Sequence, residues 1–473
     1  MINKYLTSQI KSNFPFVPTI QQEKTIEKIS EFLLSPNDRR VFMLCGYAGT
    51  GKTTLVASLV KTLTQLERRT VLLAPTGRAA KVFSLYSGKA AHTIHKCIYR
   101  QKSIVDTAVF TLNDNRHKNT LFIVDEASMI ANSGLSGFGS GALLDDLVEF
   151  VYSGAGCSLL LLGDTAQLPP VGEVLSPALS PEYLSSMMLD VVCVEMTQVM
   201  RQSEASGILH NATMLRGMVA DDAIGILPPI VLKGFADVCR VSGEELIEAI
   251  EGCYSEVGVD DTIVLCRSNK RANIYNEGIR RRILYREDEL NRGDLLMVVK
   301  NNYYWREELG KEDKSILEKI DFIANGDVAQ VERVGSTEEM YGFRFADVTL
   351  SFIDYDCEMD VKIMLDTLSS ESPSLTREEN ERLFTAVWDD YPEIRSKRKR
   401  MEELRKNPYY NALQVKYSYA VTCHKAQVGQ WRRVFIDQGY IAEDNLYTDY
   451  YRWLYTAFTR ASEKLYLVNW KES

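Results

Sequence analysis

The chain has 473 residues, too many for one ordinary core, so two or more domains are expected. Its 45% apolar and 25% charged residues are those of a folded globular protein, which excludes a disordered chain, and no apolar run is long enough to span a bilayer. A net charge of −9 argues against indiscriminate nucleic-acid binding, although a local groove can still be basic. The first residues, "MINKYLTSQIKSNFPF", hold no uninterrupted apolar core and no small-residue cleavage pattern, so no secretory signal is expected. Nine cysteines are scattered with no C-x-x-C pair, which argues against zinc and suits a reducing cytoplasm.

In chain order, Ile20, Ile26, Ile29, Phe32 and Leu33 recur at helical spacing over 20–34. An apolar strand, "VFMLC" (41–45), leads into "GYAGTGKTT" (46–54) and a helix from about 52 to 66. Further apolar strands are expected at 70–76, 120–128 and 157–164, with "GRAAKVFSLY" helical between the first two. Unbroken apolar strands alternating with helices indicate a parallel sheet covered on both faces, whose C-terminal edge binds ligands. A second such set is expected at 260–269, 432–438 and 464–470. Between its members, 293–305, 326–334 and 345–365 alternate like antiparallel strands, and a charged stretch at 376–408 reads as helical. The fold class is therefore α/β with two parallel-sheet domains and a β-rich insertion in the second. Two runs are dense in Lys and Arg, 266–288 and 394–406; solvated helix faces account for them unless they flank a strand.

Gly46, Gly51, Lys52 and Thr53 complete G-x-x-x-x-G-K-[ST], with Gly49 and Thr54 beside them. Glycines let backbone N–H groups turn inward around phosphate, and the helix N-terminus adds partial positive charge. Lys52 would reach the β- and γ-phosphates of ATP, and the Thr53 hydroxyl would hold Mg²⁺. Asp125 and Glu126 end the strand "LFIVDE", where Asp125 would meet Mg²⁺ and Glu126 would polarise the attacking water; alone, such a pair is often only a helix cap. Gln167, in "GDTAQLPPVG", has an amide able both to donate to phosphate and to accept from water, or it belongs to a polar turn stopped by Pro169 and Pro170.

Eight motifs follow in order: "GYAGTGKTT", "APTGRAA", "AHTIHK", "VDEAS", "GDTAQLPP", "QVMRQ", "TCHKAQ" and "YTAFTRA". In this series the chain resembles superfamily 1 helicases of the 5′→3′ branch, the RecD-like and phage Dda-like group, over almost its whole length. The resemblance implies two RecA-like domains with ATP between them and a single nucleic-acid strand across both. The first would be 1–205, with a hairpin insertion at about 97–117 standing where relatives carry a strand-splitting pin. The second would be 206–291 with 412–473, and 292–411 would be an SH3-like module with a helical tail. The resemblance further implies that Gln22 reads adenine and that Arg201 and Arg460 close onto the γ-phosphate. It places Thr76, Thr93, His95, Thr422, His424 and Lys425 near the strand, although capping or a buried hydrogen bond is an alternative for each. Tyr303, Tyr304 and Trp305 would stack on bases or be buried in the module.

One departure stands out. Relatives read H-K-[AS]-Q-G, whereas this chain reads "HKAQVGQW", with Val428 at the glycine position, Gly429 one residue on and Gln430 where many carry glutamate. A left-handed backbone at 428 would be strained by valine unless Gly429 takes over by a one-residue shift. The implied activity is ATP-dependent translocation 5′→3′ on single-stranded DNA with opening of duplex junctions. An RNA-directed remodelling ATPase shares the motifs, and a P-loop switch without translocation is a further alternative. Loading partners are not indicated, and no membrane partner is expected.

Overall fold

A computed structural model describes residues 2–35, 37, 39–101, 110–132, 139–198, 206–320, 322–352, 355, 357–439, 441 and 446–470, with the backbone alone for 101, 110 and 317–319. The chain divides into two units, Met1–Phe235 with Ala442–Thr459, and Ala236–Ile441 with Arg460–Ser473. Helix Thr448–Phe458, late in the sequence, packs on helix Gly207–Ala220 within the first unit.

The first unit holds β1 (Arg40–Gly46), β2 (Arg69–Ala74), β3 (Ala91–Thr93), β4 (Tyr99–Gln101), β5 (Phe110–Leu112), β6 (Thr120–Val124), β7 (Ser158–Gly163) and β8 (Asp190–Met196). Six of them form one parallel sheet in the order β3-β2-β6-β7-β1-β8. Successive side chains leave opposite faces of a strand. Val41, Met43 and Cys45 of β1 accordingly enter one core, with Phe122, Val124, Leu159 and Leu161. Phe42 and Leu44 enter the other, with Leu121, Ile123, Leu160 and Leu162. Both faces are covered, which is why these strands read as unbroken apolar runs. β4 and β5 pair antiparallel, Tyr99 opposite Leu112, and the tip between them lies outside the described residues. Two expected strands end early. β2 stops at Ala74 because Thr76 caps the next helix, and β6 stops at Val124 because Glu126 turns left-handed, φ 53°.

The second unit holds β9 (Val238–Val241), β10 (Thr262–Cys266), β11 (Leu295–Val298), β12 (Val328–Met340), β13 (Phe343–Phe352), β14 (Cys357–Met364), β15 (Leu413–Tyr417), β16 (Ala420–Thr422), β17 (Trp431–Asp437) and β18 (Ala461–Val468). A parallel sheet runs β16-β10-β17-β18-β9. The inserted strands β11 to β15 close into a small barrel. Register shifts at Val331/Arg333 and Val334/Thr337 bend the long β12–β13 pair as bulges do. The expected strand at 293–305 is shorter than its alternation suggested, since Tyr304–Leu309 is helical. Trp305 is buried in the barrel core with its indole N–H on the Asn411 carbonyl, and Tyr303 stacks on Phe322 at 5.0 Å. The charged stretch after the barrel forms two helices, Arg377–Asp389 and Lys397–Lys406, and within the second the pairs Arg398–Glu402 and Lys406–Glu403 bridge adjacent turns.

Candidate nucleotide site and strand-facing edges

In the first unit β6, β7 and β1 are neighbours, so the loops after them share one stretch of the sheet's C-terminal edge. The loop after β1 carries Gly49 and Gly51 with φ of 79° and 83°, and Gly51 caps helix Lys52–Gln65. Glycine suits the left-handed backbone at Gly51, and a Cβ there would stand 2.6 Å from Gln22 Nε2 and displace that amide. Gln22 is buried and braces this loop. Its Nε2 donates to the Thr50 carbonyl at 3.1 Å, and its Oε1 accepts from Thr19 N–H at 2.9 Å as half of a capping box. Lys52 donates its ammonium to the carbonyls of Gly46 and Tyr47 within its own loop. Thr53 lies exposed in the first turn of the helix, beside Thr54.

Asp125 follows β6. Its Oδ1 accepts from Glu126 N–H at 2.9 Å, and its Oδ2 accepts the phenol O–H of Tyr86. Burial pushes this carboxyl up from its usual range, while the Tyr86 and Glu126 donors and the Lys52 charge pull it down. Tyr86 was not singled out by sequence reasoning. It ends an amphipathic helix, and only the β2–β6 adjacency brings it over the carboxylate. Glu126 holds a left-handed backbone that a non-glycine residue adopts at a cost, a form of strain common at functional sites.

After β7, Asp164 accepts from Ala166 N–H at 2.9 Å and from the Tyr455 hydroxyl at 2.7 Å. Gln167 is 8% exposed, and its Oε1 has no partner among the described residues. Helix Thr448–Phe458 reaches this loop through Arg452, Tyr455 and Thr456, none of which stood out in the sequence beyond the motif around Tyr455.

The expected strand-facing residues of this unit lie further along the same edge, after β2 and β3. Thr76 Oγ1 accepts from Ala79 N–H, and Thr93 Oγ1 accepts from Lys96 N–H, each at 3.2 Å, so both hydroxyls cap helices. A hydroxyl accepting in a cap keeps its own O–H to donate elsewhere. His95 lies 5.8 Å from the Tyr99 ring, and burial lowers its pKa. Arg201 lies outside the described residues.

In the second unit Thr422, His424 and Lys425 form the turn after β16, an edge strand. Lys425 N–H and Ala426 N–H both donate to the Thr422 carbonyl. Burial, with the nearby Lys416 charge, lowers the Lys425 ammonium to about 8. Val428 in this turn has φ 75°, the left-handed region. Gly429 does not take over the left-handed role. It keeps a negative or extended φ and is small for another reason, since its Cβ would stand 2.3 Å from the Trp431 ring. The Arg460 guanidinium is 5% exposed and donates to the Gly429 carbonyl at 3.3 Å.

Residues 21–227 match a family model described as an AAA domain, and 417–468 match a UvrD-like helicase C-terminal domain. Protein R530 of Acanthamoeba polyphaga mimivirus is 24% identical over 94% of this chain and 98% of its own length. The ATP-dependent RecD2 DNA helicase of Deinococcus radiodurans is 31% identical over 37% of this chain, which spans only 21% of that protein. A crystal structure of Pif1 helicase from Bacteroides with ADP-AlF3 and ssDNA is 14% identical, with a TM-score of 0.49 over 96% of this chain and 93% of that one. An AAA-domain match followed in one chain by a UvrD-like helicase C-terminal match makes this chain similar to helicases across 21–227 and 417–468, and the eight motifs in order carry its resemblance to the RecD-like and Dda-like group.

Proposed function

We propose that the chain is an ATP-dependent DNA helicase that moves 5′→3′ along a single strand and opens the duplex at its junction. The observation that carries this reading is the gathering of Gln22, the glycine loop, Asp125, Glu126 and Gln167 on one sheet edge, continued along that edge by Thr76, Thr93 and His95. Nucleotide hydrolysis and strand contact thereby share one rigid element. Lys52 steadies the β- and γ-phosphates, Glu126 polarises water, and Gln167 donates its amide N–H to the γ-phosphate while its Oε1, which no described residue satisfies, accepts from water. Arg201 and Arg460 supply fixed, permanently charged donors to the transferring phosphoryl group.

Mg²⁺ suits the donors here. Thr53 and Asp125 offer hard oxygens, and no group of three or more His, Cys, Asp or Glu among the described residues could form a cage. An ion at this place would complete its shell with phosphate and water, as Mg²⁺ prefers, and would neutralise phosphate charge. Thr422, His424 and Lys425 contact backbone phosphates without reading bases, as a motor passing any sequence requires. The closed barrel serves as the SH3-like module beside the strand, and the β4–β5 pair serves as the base of the pin that splits the duplex. All nine cysteines are free thiols, which suits a cytoplasmic setting.

The test is ATP-dependent unwinding of a DNA duplex with either a 5′ or a 3′ single-stranded tail, with Lys52→Ala as the blank. Opening of the 5′-tailed substrate alone is expected. Opening of the 3′-tailed substrate would reverse the direction. Stimulation by RNA strands but not DNA would favour the RNA-directed reading, and an ATPase indifferent to both would leave a P-loop switch.

A further inference from the structure

Arg452, Tyr455 and Thr456 stand at i, i+3 and i+4 on helix Thr448–Phe458 and so share one face. All three are at least nine-tenths buried, yet each is polar and each is matched to a nucleotide-side loop of the first unit. The Tyr455 hydroxyl accepts Ala48 N–H, in the glycine loop, at 3.0 Å and donates to the Asp164 carboxylate at 2.7 Å. Thr456 Oγ1 accepts Leu168 N–H at 2.9 Å and donates to the Arg452 carbonyl at 2.8 Å. The Arg452 guanidinium donates to the carbonyls of Thr165 and Gln167. The backbone on both sides of Gln167 is thus held, while its side-chain Oε1 stays unsatisfied among the described residues. A helix face needed only for packing would bury apolar groups, because an unmatched polar group in the interior is costly.

We infer that this face is a positioning device for the reaction proposed above, on which the inference rests. Tyr455 ties the glycine loop that receives the phosphates to Asp164, and Thr456 with Arg452 sets the backbone beside Gln167 itself. The two contacts act on different stages. A misplaced glycine loop weakens nucleotide binding in ground and transition states alike, whereas a misaimed Gln167 is felt in the chemical step.

The test compares Tyr455→Phe and Thr456→Val, each near-isosteric, by steady-state ATPase and by equilibrium titration with a fluorescent ADP. Tyr455→Phe is expected to raise the ATP KM and the ADP Kd about tenfold, the scale of one well-placed hydrogen bond, with kcat within about twofold. Thr456→Val is expected to lower kcat about tenfold with ADP affinity within about twofold. Parallel loss of affinity and kcat in both variants would mean a general fold defect and overturn the inference, as would no change in either. ADP binding and basal hydrolysis need no nucleic acid. A wild-type protein that fails to unwind would therefore sink the helicase reading while this split could still be scored.

Discussion

Val428 occupies a left-handed backbone, φ 75°, in the turn between β16 and β17 that also bears His424 and Lys425. A non-glycine residue there costs about 1–2 kcal/mol, and a β-branched one fits least well. Glycine removes that strain but adds about 0.5–1 kcal/mol of unfolded-chain entropy. Val428→Gly should therefore stabilise the protein by about 1 kcal/mol in denaturant unfolding and raise nucleic-acid-stimulated ATPase. Unchanged or lowered stability would show that the turn carries no strain at 428. Lys425 allows a pH test. Its ammonium titrates near 8 because burial and Lys416 disfavour the charge, so it is positive below that pH and neutral above it. Affinity for single-stranded DNA at constant ionic strength should fall about three- to tenfold from pH 7 to 9, and Lys425→Arg, which keeps its charge, should flatten that fall. A profile identical in the two proteins would remove Lys425 from the strand site. The sequence raised suspicion at 428 only through a missing glycine. The left-handed dihedral itself shows only in the folded turn.

A fully buried polar connection between elements lies in the second unit. Asp294, fully buried at the start of β11, accepts from Arg280 Nε and Nη2 at 2.9 Å each, Arg286 Nη1 at 2.7 Å, the Tyr419 hydroxyl at 2.9 Å and Asn291 N–H at 2.8 Å. The carboxylate ties helix Asn269–Arg282 and the β15–β16 connection to the first strand of the barrel. Removing one partner of a buried ion pair leaves an uncompensated charge. Asp294→Ala should cost about 3–5 kcal/mol in equilibrium unfolding, whereas Arg377→Ala, at an exposed helical pair, should cost less than about 0.5 kcal/mol. Equal effects would show that the network is slack. Within the basic run at 266–288, Arg267, Lys270, Arg281 and Arg282 are exposed, as a solvated face expects, whereas Arg280 is buried and Arg286 partly buried as ion-pair partners of Asp294. Helix and strand runs were legible because their apolar periods are local. A buried arginine is indistinguishable from an exposed one until its carboxylate, Asp294, is brought against it.

For the molecule as a whole, the sequence by itself determined the class of the architecture. Unbroken apolar runs require strands covered on both faces, the alternating middle segment requires an inserted β module, and the glycine loop requires a triphosphate-binding edge. Gly46, Thr93 and Thr422 end strands and Asp125 directly follows one. Only the tertiary structure decided which strand ends are neighbours, that Tyr86 meets Asp125, and that a helix beginning at Thr448 holds the loops beside Gly46 and Gln167. The physical reason is one of range. Backbone propensity and hydrophobic period act over a few residues and are written in the chain, whereas Leu168 and Thr456 meet across a separation of 288 residues. Their hydrogen bond exists because two buried polar groups must satisfy each other once the helix has docked, and it leaves no periodic trace in either segment.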